Sequence, residues 1–389
     1  MRILGRLTRS ITPIGRGVLL LALACALLSG WFLLPVLLAV GIVLGVALGC
    51  AVVLVALPSR VVASLRIRPP HASVGGPVSV QIGLRNHGPA PLFQPVIRMP
   101  YPGGVHQTST RWLPARRSTE TGIEVVTTRR GVHQVGPVEV LREDPFGLLR
   151  WTQIAEEAAD LYVRPLRIPV ESLGLGQLSD VDGVASDQVS MSDLAFHALR
   201  EYVPGDDLRH VHWRSSAKAD RLLVRQYHDT RRSRVTVLID AAEPAYASSA
   251  DFELAVSVAA SIGVRAVDDD LEVTLWGAQE ELSKAGADAL LDACCRIERG
   301  DFPLDSMLGR LLLSIPSPGL LVVITGHTRD PESLYRDLAG VRPEVRLLVL
   351  RCASGEPPQL RARANSSMGS VGELRHLPAL MDQFLKGLG

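Results

Sequence analysis

Residues 200–228, REYVPGDDLRHVHWRSSAKADRLLVRQYH, hold six basic side chains, four acids, three histidines and a tryptophan. Asp206 and Asp207 beside His210 or His212 are residue types that do general acid/base work, which points to a hydrolase or transferase. A nucleophilic triad can be assembled on paper from Ser215 or Ser216, His228 and Asp206, but with so many Ser and Asp that match is expected by coincidence. His210 and His212 are two apart. They do not share a helix face, and as a strand pair they still need further metal ligands, so two polar histidines in a charged loop is the simpler reading.

A binding surface uses the same residues differently. Pro204-Gly205 reads as a turn, and Asp206 or Asp207 as the N-cap of a helix from Leu208 to about Ala219. Arg209, Trp213 and Ala217 then lie in one row, with the Arg209 guanidinium able to stack on the Trp213 indole. Arg200 and Arg214 are candidate partners for the two carboxylates, and LLVRQYH alternates as a strand. The segment is therefore either a charged helix–strand junction or a docking surface, with catalysis third.

These residues need elements to hold them. From Arg234, the strand RVTVLID, ending in Asp240, is followed by the helical spacing of ADFELAVSVAASIGVRAVDD. Strand LEVTLWG, helices around GADALLDACCRIE and DSMLGRLLLSI, strand GLLVVIT, helix PESLYRDLAG, strand EVRLLVLRC and a closing helix from about Leu377 to Leu385 follow. That alternation predicts a mostly parallel sheet covered on both faces, with ligands outside the carboxyl ends of its strands, where Asp240 stands. No GxxxxGK[ST], GxGxxG after a strand, or GxSxG elbow occurs in this half.

Upstream, PVSVQIGLRN places Val78, Val80, Ile82 and Leu84 on one face, the period of a half-buried strand. FQPVIRMPY, TGIEVVTTRR and GPVEVLRE repeat the theme between Gly and Pro turns, which predicts a small antiparallel, immunoglobulin-like β-sandwich over 58–170. Residues 171–193 carry five acids and no Lys or Arg, and read as a linker.

Residues 17–57 contain no charged residue and no histidine. As one helix they would extend about 60 Å, twice the hydrocarbon thickness of a bilayer, so two spans with a turn between Ser29 and Pro35 are expected. A signal peptide's apolar core would be far shorter. Arg2, Arg6, Arg9 and Arg16 precede the run and Arg60, Arg66 and Arg68 follow it, which places both termini and the soluble domains in the cytoplasm, at a plasma or inner membrane.

The chain has 389 residues and a formal net charge of +1, a balance that gives no support to nucleic-acid binding. Its five cysteines include no CxxC, which disfavours a zinc ribbon or disulfide framework.

With these motifs in order, the chain resembles the bacterial membrane family known as domain-of-unknown-function family 58. The resemblance is carried by Arg200, Tyr202, Gly205, Asp206, Arg209, Trp213 and Ala217, and upstream by Arg130, Gly131, Asp144, Pro145, Phe146, Gly147 and Leu148. It implies an α/β von Willebrand factor type A-like (Rossmann-like) domain over 234–389, preceded by a signature segment at 194–233 that includes Asp207. Such domains often hold a divalent cation in an Asp-x-Ser-x-Ser loop with a Thr and an Asp from later loops. Here the loop reads Asp240-Ala241-Ala242-Glu243-Pro244, and Thr325-Gly326-His327 stands where an Asp is expected. The expectation is a degenerate site without a cofactor. The resemblance further implies a non-enzymatic, membrane-anchored adaptor for a MoxR-type AAA+ ATPase, found in some cases near a membrane transglutaminase-like protein. The competing expectations are the acid/base enzyme and a metal-dependent binding module built on Asp240.

Overall fold

A computed structural model describes residues 11–32, 34–56, 61–89, 91–144, 146–173, 194–203, 211–229, 234–277, 280–283, 286–314, 319–363 and 366–387. They fall into two compact units, Met1–Arg164 and Pro165–Gly389. The division precedes the expected boundary at residue 170, because Val170 and Leu173 are buried in the core of the second unit. Hydrogen bonds fasten this stretch there: Ile168 N donates to Ser261 Oγ (3.1 Å), and Leu173 N and Ser172 Oγ donate to Asp269 Oδ2 (2.7 and 3.1 Å).

The first unit begins with helices Pro13–Phe32 and Pro35–Ala56, both long and apolar enough to cross a bilayer. Each starts at a proline, whose missing N–H costs nothing in the first helical turn. The first helix thus begins four residues earlier than the uncharged run and includes Arg16. The break falls between Phe32 and Pro35, within the expected turn. Gly41 lets the helices approach closely: a Cβ there would lie 3.3 Å from Ala22 O and 3.6 Å from Cys25 Cβ. Small residues at such a contact allow the packing on which helix pairs in lipid depend.

The rest of this unit is β-structure. Strand Pro77–Asn86 pairs antiparallel with Val61–Arg68 and Ser118–Val126. A second, four-stranded sheet runs in the order Arg150–Glu156, Val138–Glu143, Val96–Tyr101, Gly104–Ser109. Val78, Val80, Ile82 and Leu84 are completely buried, as their alternation requires, and share one core with Ile97, Met99, Val138 and Val140 of the second sheet. A third sheet, in the order His71–Ser73, Ala159–Arg164, Gly131–Val135, adds Ala72, Leu161, Val163 and Val135 to that core, and the sheets together seal one apolar layer in the manner of a β-sandwich.

The second unit has two parts. Strands Leu194–Glu201 and Leu223–Asp229 form an antiparallel pair, with the short helix Trp213–Ala219 between them. Beyond it, seven strands form one sheet in the order Glu280–Ser283, Glu272–Gly277, Arg234–Ile239, Leu320–Gly326, Arg346–Cys352, Ser366–Val371, Gln359–Arg363. The five inner strands are parallel and the two edges antiparallel. Helices Ser249–Asp268, Ala287–Arg296 and Leu377–Lys386 contribute to one buried layer. Helices Leu304–Ser314 and Pro331–Leu338 contribute to the other. Leu320, Val322 and Ile324 belong to the first layer and Leu321 and Val323 to the second, so the continuous apolar run GLLVVIT is that of a strand covered on both faces. Ser248 starts the long helix with a capping box, exchanging hydrogen bonds with Asp251.

Candidate functional site

The carboxyl end of the strand Arg234–Ile239, which lies beside the central strand Leu320–Gly326, is built around Asp240. This carboxylate has no solvent exposure, and a buried charge must find partners. Its Oδ1 accepts from Ala242 N (3.1 Å) and its Oδ2 from Thr325 Oγ1 (2.7 Å). The counter-charge is Arg329, whose Nε lies 2.6 Å from Oδ2 and whose second nitrogen lies 3.4 Å from Oδ1. Burial works against the guanidinium charge, but the hydrogen bond and charge of Asp240 outweigh it and hold Arg329 above its ordinary value.

Neighbouring loops are tied to the same point. Tyr246 donates its hydroxyl to Asp240 O (2.7 Å), and burial, reinforced by the Asp240 charge, pushes its phenol well above the ordinary range. Thr328 Oγ1 donates to Pro244 O (2.6 Å), and Arg351 donates to His327 O (2.5 Å) and Arg329 O (3.3 Å). Gly326 is required by space: a Cβ would lie 1.9 Å from Ala245 O. Both Asp240 oxygens therefore carry protein donors, and a divalent cation binding there would have to displace Arg329. Among the described residues, no cluster of three His, Cys, Asp or Glu side chains is placed to hold a metal.

Sequence reasoning singled out Asp240 and Thr325 but missed Arg329. A signal was present. An acid ending a strand of mostly apolar residues needs a cation, and Arg329 stands four residues after Thr325 in the adjacent loop.

The charged segment is only partly described. Gly205, Asp206, Asp207, Arg209 and His210 lie outside the described residues, and Arg200 is placed by its backbone alone, opposite Val224. The expected helix from Leu208 is corrected: it starts at Trp213. Val211 bridges Val224, and His212 N donates to Leu223 O (2.8 Å), so the backbone at 211–212 is engaged with the strand and cannot be helical. Of the expected row of Arg209, Trp213 and Ala217, the last two share this helix, and Arg209 lies outside the described residues. The cap is His212 and not an aspartate; its Nδ1 accepts from Ser215 N (3.2 Å).

Ser216 is buried. Its hydroxyl donates to His212 O (3.1 Å) and accepts from Leu223 N (2.9 Å), which pins the helix to the strand. A hydroxyl held this way is a structural staple, and the paper triad through Ser216 has no free nucleophile. Trp213, by contrast, is 64% exposed. Tyr202 N donates to Leu222 O (2.9 Å), so the pairings at 202/222 and 212/223 bring Val203, Leu222 and Trp213 to one end of the hairpin, all three exposed. Ala217 lies on the exposed side of the same helix, and Tyr202 is half-buried.

A family model described as "Protein of unknown function DUF58" matches residues 198–287, from the hairpin to the start of the helix after the antiparallel edge strand. The chain is 28% identical over 198 residues to the uncharacterized protein YeaD of Bacillus subtilis, and the match covers 48% of each protein. The match thus spans about half the length of that curated relative. Solved structures that resemble part of the chain include the CARDB domain of the PF1109 protein from Pyrococcus furiosus, at 10% identity over 27% of this chain and 93% of that one, with a TM-score of 0.22. The putative ApaA protein from Bordetella pertussis matches at 10% identity over 27% of this chain and 95% of its own, with a TM-score of 0.20.

Proposed function

From the premise that this chain is a DUF58 protein, we propose that it is a membrane-anchored adaptor without enzymatic activity of its own, serving a MoxR-type AAA+ ATPase in complex assembly or an envelope process. The observation that carries this reading is the exposed Trp213, flanked by Val203 and Leu222, within the matched segment. A tryptophan that fastened a structural junction would be enclosed. One that stands in solvent beside apolar neighbours is the residue type on which protein interfaces concentrate their affinity.

The α/β unit is read as von Willebrand factor type A-like. Supporting this are the parallel inner strands, the antiparallel short edge at Glu280–Ser283, and an acid at the carboxyl end of the inner strand Arg234–Ile239. No cofactor enters the reading, because Arg329 takes the place that a cation would fill beside Asp240. The two apolar helices are read as membrane spans with both soluble units on the cytoplasmic side, on the strength of the flanking arginines. A membrane transglutaminase-like protein is a further candidate partner. Nucleic acid is not one, given the net charge of +1.

The test is purification of the full chain from detergent-solubilised membranes, wild type beside Trp213→Ala, with a thermal melt on each. An AAA+ ATPase should accompany the wild type and be lost from a folded Trp213→Ala variant. Absence of any such ATPase from the wild type, or its undiminished recovery with the variant, overturns the reading.

A further inference from the structure

Residues 146–149 are held against the base of the two apolar helices. Leu148 and Leu149 are buried together with Ala51 of the second helix, and Leu48, Val18 and Ile11 pack around them. Backbone contacts are equally close. Thr12 N donates to Leu148 O (3.0 Å), and Thr12 Oγ1 donates to Gly147 O (2.6 Å) with Leu148 O 3.1 Å away. Ile11 bridges Leu149, and a Cβ at Gly15 would lie 2.1 Å from Leu148 O. The turn is fixed from within by buried Asp144, which accepts from Phe146 N (2.9 Å) and Leu149 N (2.6 Å), while Gly147 takes a left-handed φ of 67°.

This rigid turn presents Phe146 outward, 64% exposed. Exposing an aromatic ring on a turn held so firmly leaves apolar surface in water that a solvent-facing loop has no reason to keep. Its level along the helices says what covers it. The uncharged second helix runs to Ala56, so Ala51 and Leu48 lie about 7.5 and 12 Å inside its end at 1.5 Å per residue. The headgroup/acyl boundary, where amphipathic elements bury their apolar residues, is about 5–10 Å deep. Ile14, next to the Gly15 contact, is exposed at the same base, and Arg16 beside it is exposed where anionic headgroups would lie.

We propose that Phe146 is an interfacial anchor that enters the lipid at the base of the helix pair and fixes the β-sandwich to the membrane surface, with Leu148 and Leu149 as its joint to the helices. The occupant is the bilayer. The inference rests on reading the two helices as membrane spans, and the experiment separates the two.

The full chain, with Cys25 and Cys50 replaced by alanine, is placed in phosphatidylcholine/phosphatidylglycerol nanodiscs. It is spin-labelled in turn through Phe146→Cys, Leu27→Cys and Thr121→Cys, and collision with oxygen and with an aqueous nickel chelate is measured. Positions 27 and 146 should both be shielded from nickel and open to oxygen, and position 121 should be open to nickel. Shielding at 27 with full nickel access at 146 overturns the anchor and leaves the spans standing; nickel access at both overturns both. In parallel, a photoreactive benzophenone side chain at 146 should crosslink to lipid. Crosslinking to protein alone, whether a second copy or another chain, overturns the proposal.

Discussion

Arg329 meets Asp240 edge-on, with Nε 2.6 Å from a carboxylate that has no access to water. The pair joins the ends of two adjacent parallel strands through the loop that follows Leu320–Gly326. Removing one partner of a buried ion pair leaves an uncompensated charge and typically costs about 3–5 kcal/mol. Arg329→Ala is therefore expected to destabilise the α/β unit by an amount of that order. Amide exchange over Leu320–Gly326 in the full chain should lose protection accordingly. Replacing both residues together, Asp240→Asn with Arg329→Met, should cost less than Arg329→Ala alone.

The same pair makes a prediction about metals. Titrating Mg²⁺ or Mn²⁺ into the detergent-solubilised chain should give no saturable heat, and neither ion nor chelator should move the melting temperature. Micromolar binding by the wild type would show that a cation can displace Arg329, and would restore the metal-dependent module as the better reading of Asp240.

How much of this was legible beforehand depends on which interactions carry each part. The continuous apolar strands and amphipathic helices of the α/β unit follow from periodicity, because burial on two faces leaves a local record. The antiparallel edges Glu280–Ser283 and Gln359–Arg363 escaped, since short edge strands carry little apolar pattern. Asp240 was visible as an acid at a strand end. Its partner Arg329 was not recognised, because joining two positions 89 apart requires combining the need for a cation with the adjacency of two strand-end loops, which no local period records. The helix start at Trp213 was misplaced because the aspartates at 206–207 are good caps by residue type. The pairing of 211–212 with the strand at 223–224 is a tertiary override of that preference.

Trp213 and Ser216 separate docking from folding within one short helix. Trp213→Ala removes an exposed side chain and should change stability by less than about 0.5 kcal/mol. Ser216→Ala strips a buried hydroxyl from the Leu223 N–H and the His212 carbonyl, and should cost about 1–3 kcal/mol. Thermal melts of the two variants should therefore differ clearly, and partner capture should fail for the tryptophan variant although its fold is intact.

Acid sensitivity should centre on Asp251 and Asp269. Burial pushes both carboxyls upward, but hydrogen bonds reverse the effect and leave each below its ordinary value. For Asp251 these come from Ser354 N (2.7 Å) and Ser248, and for Asp269 from Arg265, Leu173 N and Ser172. A depressed folded-state pKa contributes stability that is fully present above the unfolded value, about 3.9, and is lost as pH falls through the folded one. Unfolding free energy should accordingly be flat near neutrality and drop below about pH 4. Asp251→Asn should lower stability at pH 7 and flatten that acid limb, and a limb of unchanged steepness would show that other carboxylates dominate it.

Two glycines in the α/β unit should respond with opposite signs to the same substitution. Gly309 lies inside the exposed side of helix Leu304–Ser314, and nothing stands within 4 Å of where its Cβ would be. Alanine there removes chain entropy from the unfolded state and improves helix propensity, so Gly309→Ala should stabilise by up to about 1 kcal/mol. Gly326 ends the strand beside Asp240, and a Cβ would lie 1.9 Å from Ala245 O and 2.8 Å from the Tyr246 ring. The obstacle at 1.9 Å is backbone, which cannot swing away as a flexible side chain would. Gly326→Ala must push the 243–246 turn off the strand end and pull the Tyr246 hydroxyl from Asp240 O, so it should destabilise by at least the 1–3 kcal/mol of overpacking. Near-ultraviolet circular dichroism of Tyr246 beside a thermal melt reads both effects. Equal responses from the two variants would mean that the close approach of the turn to Gly326 does not hold in solution.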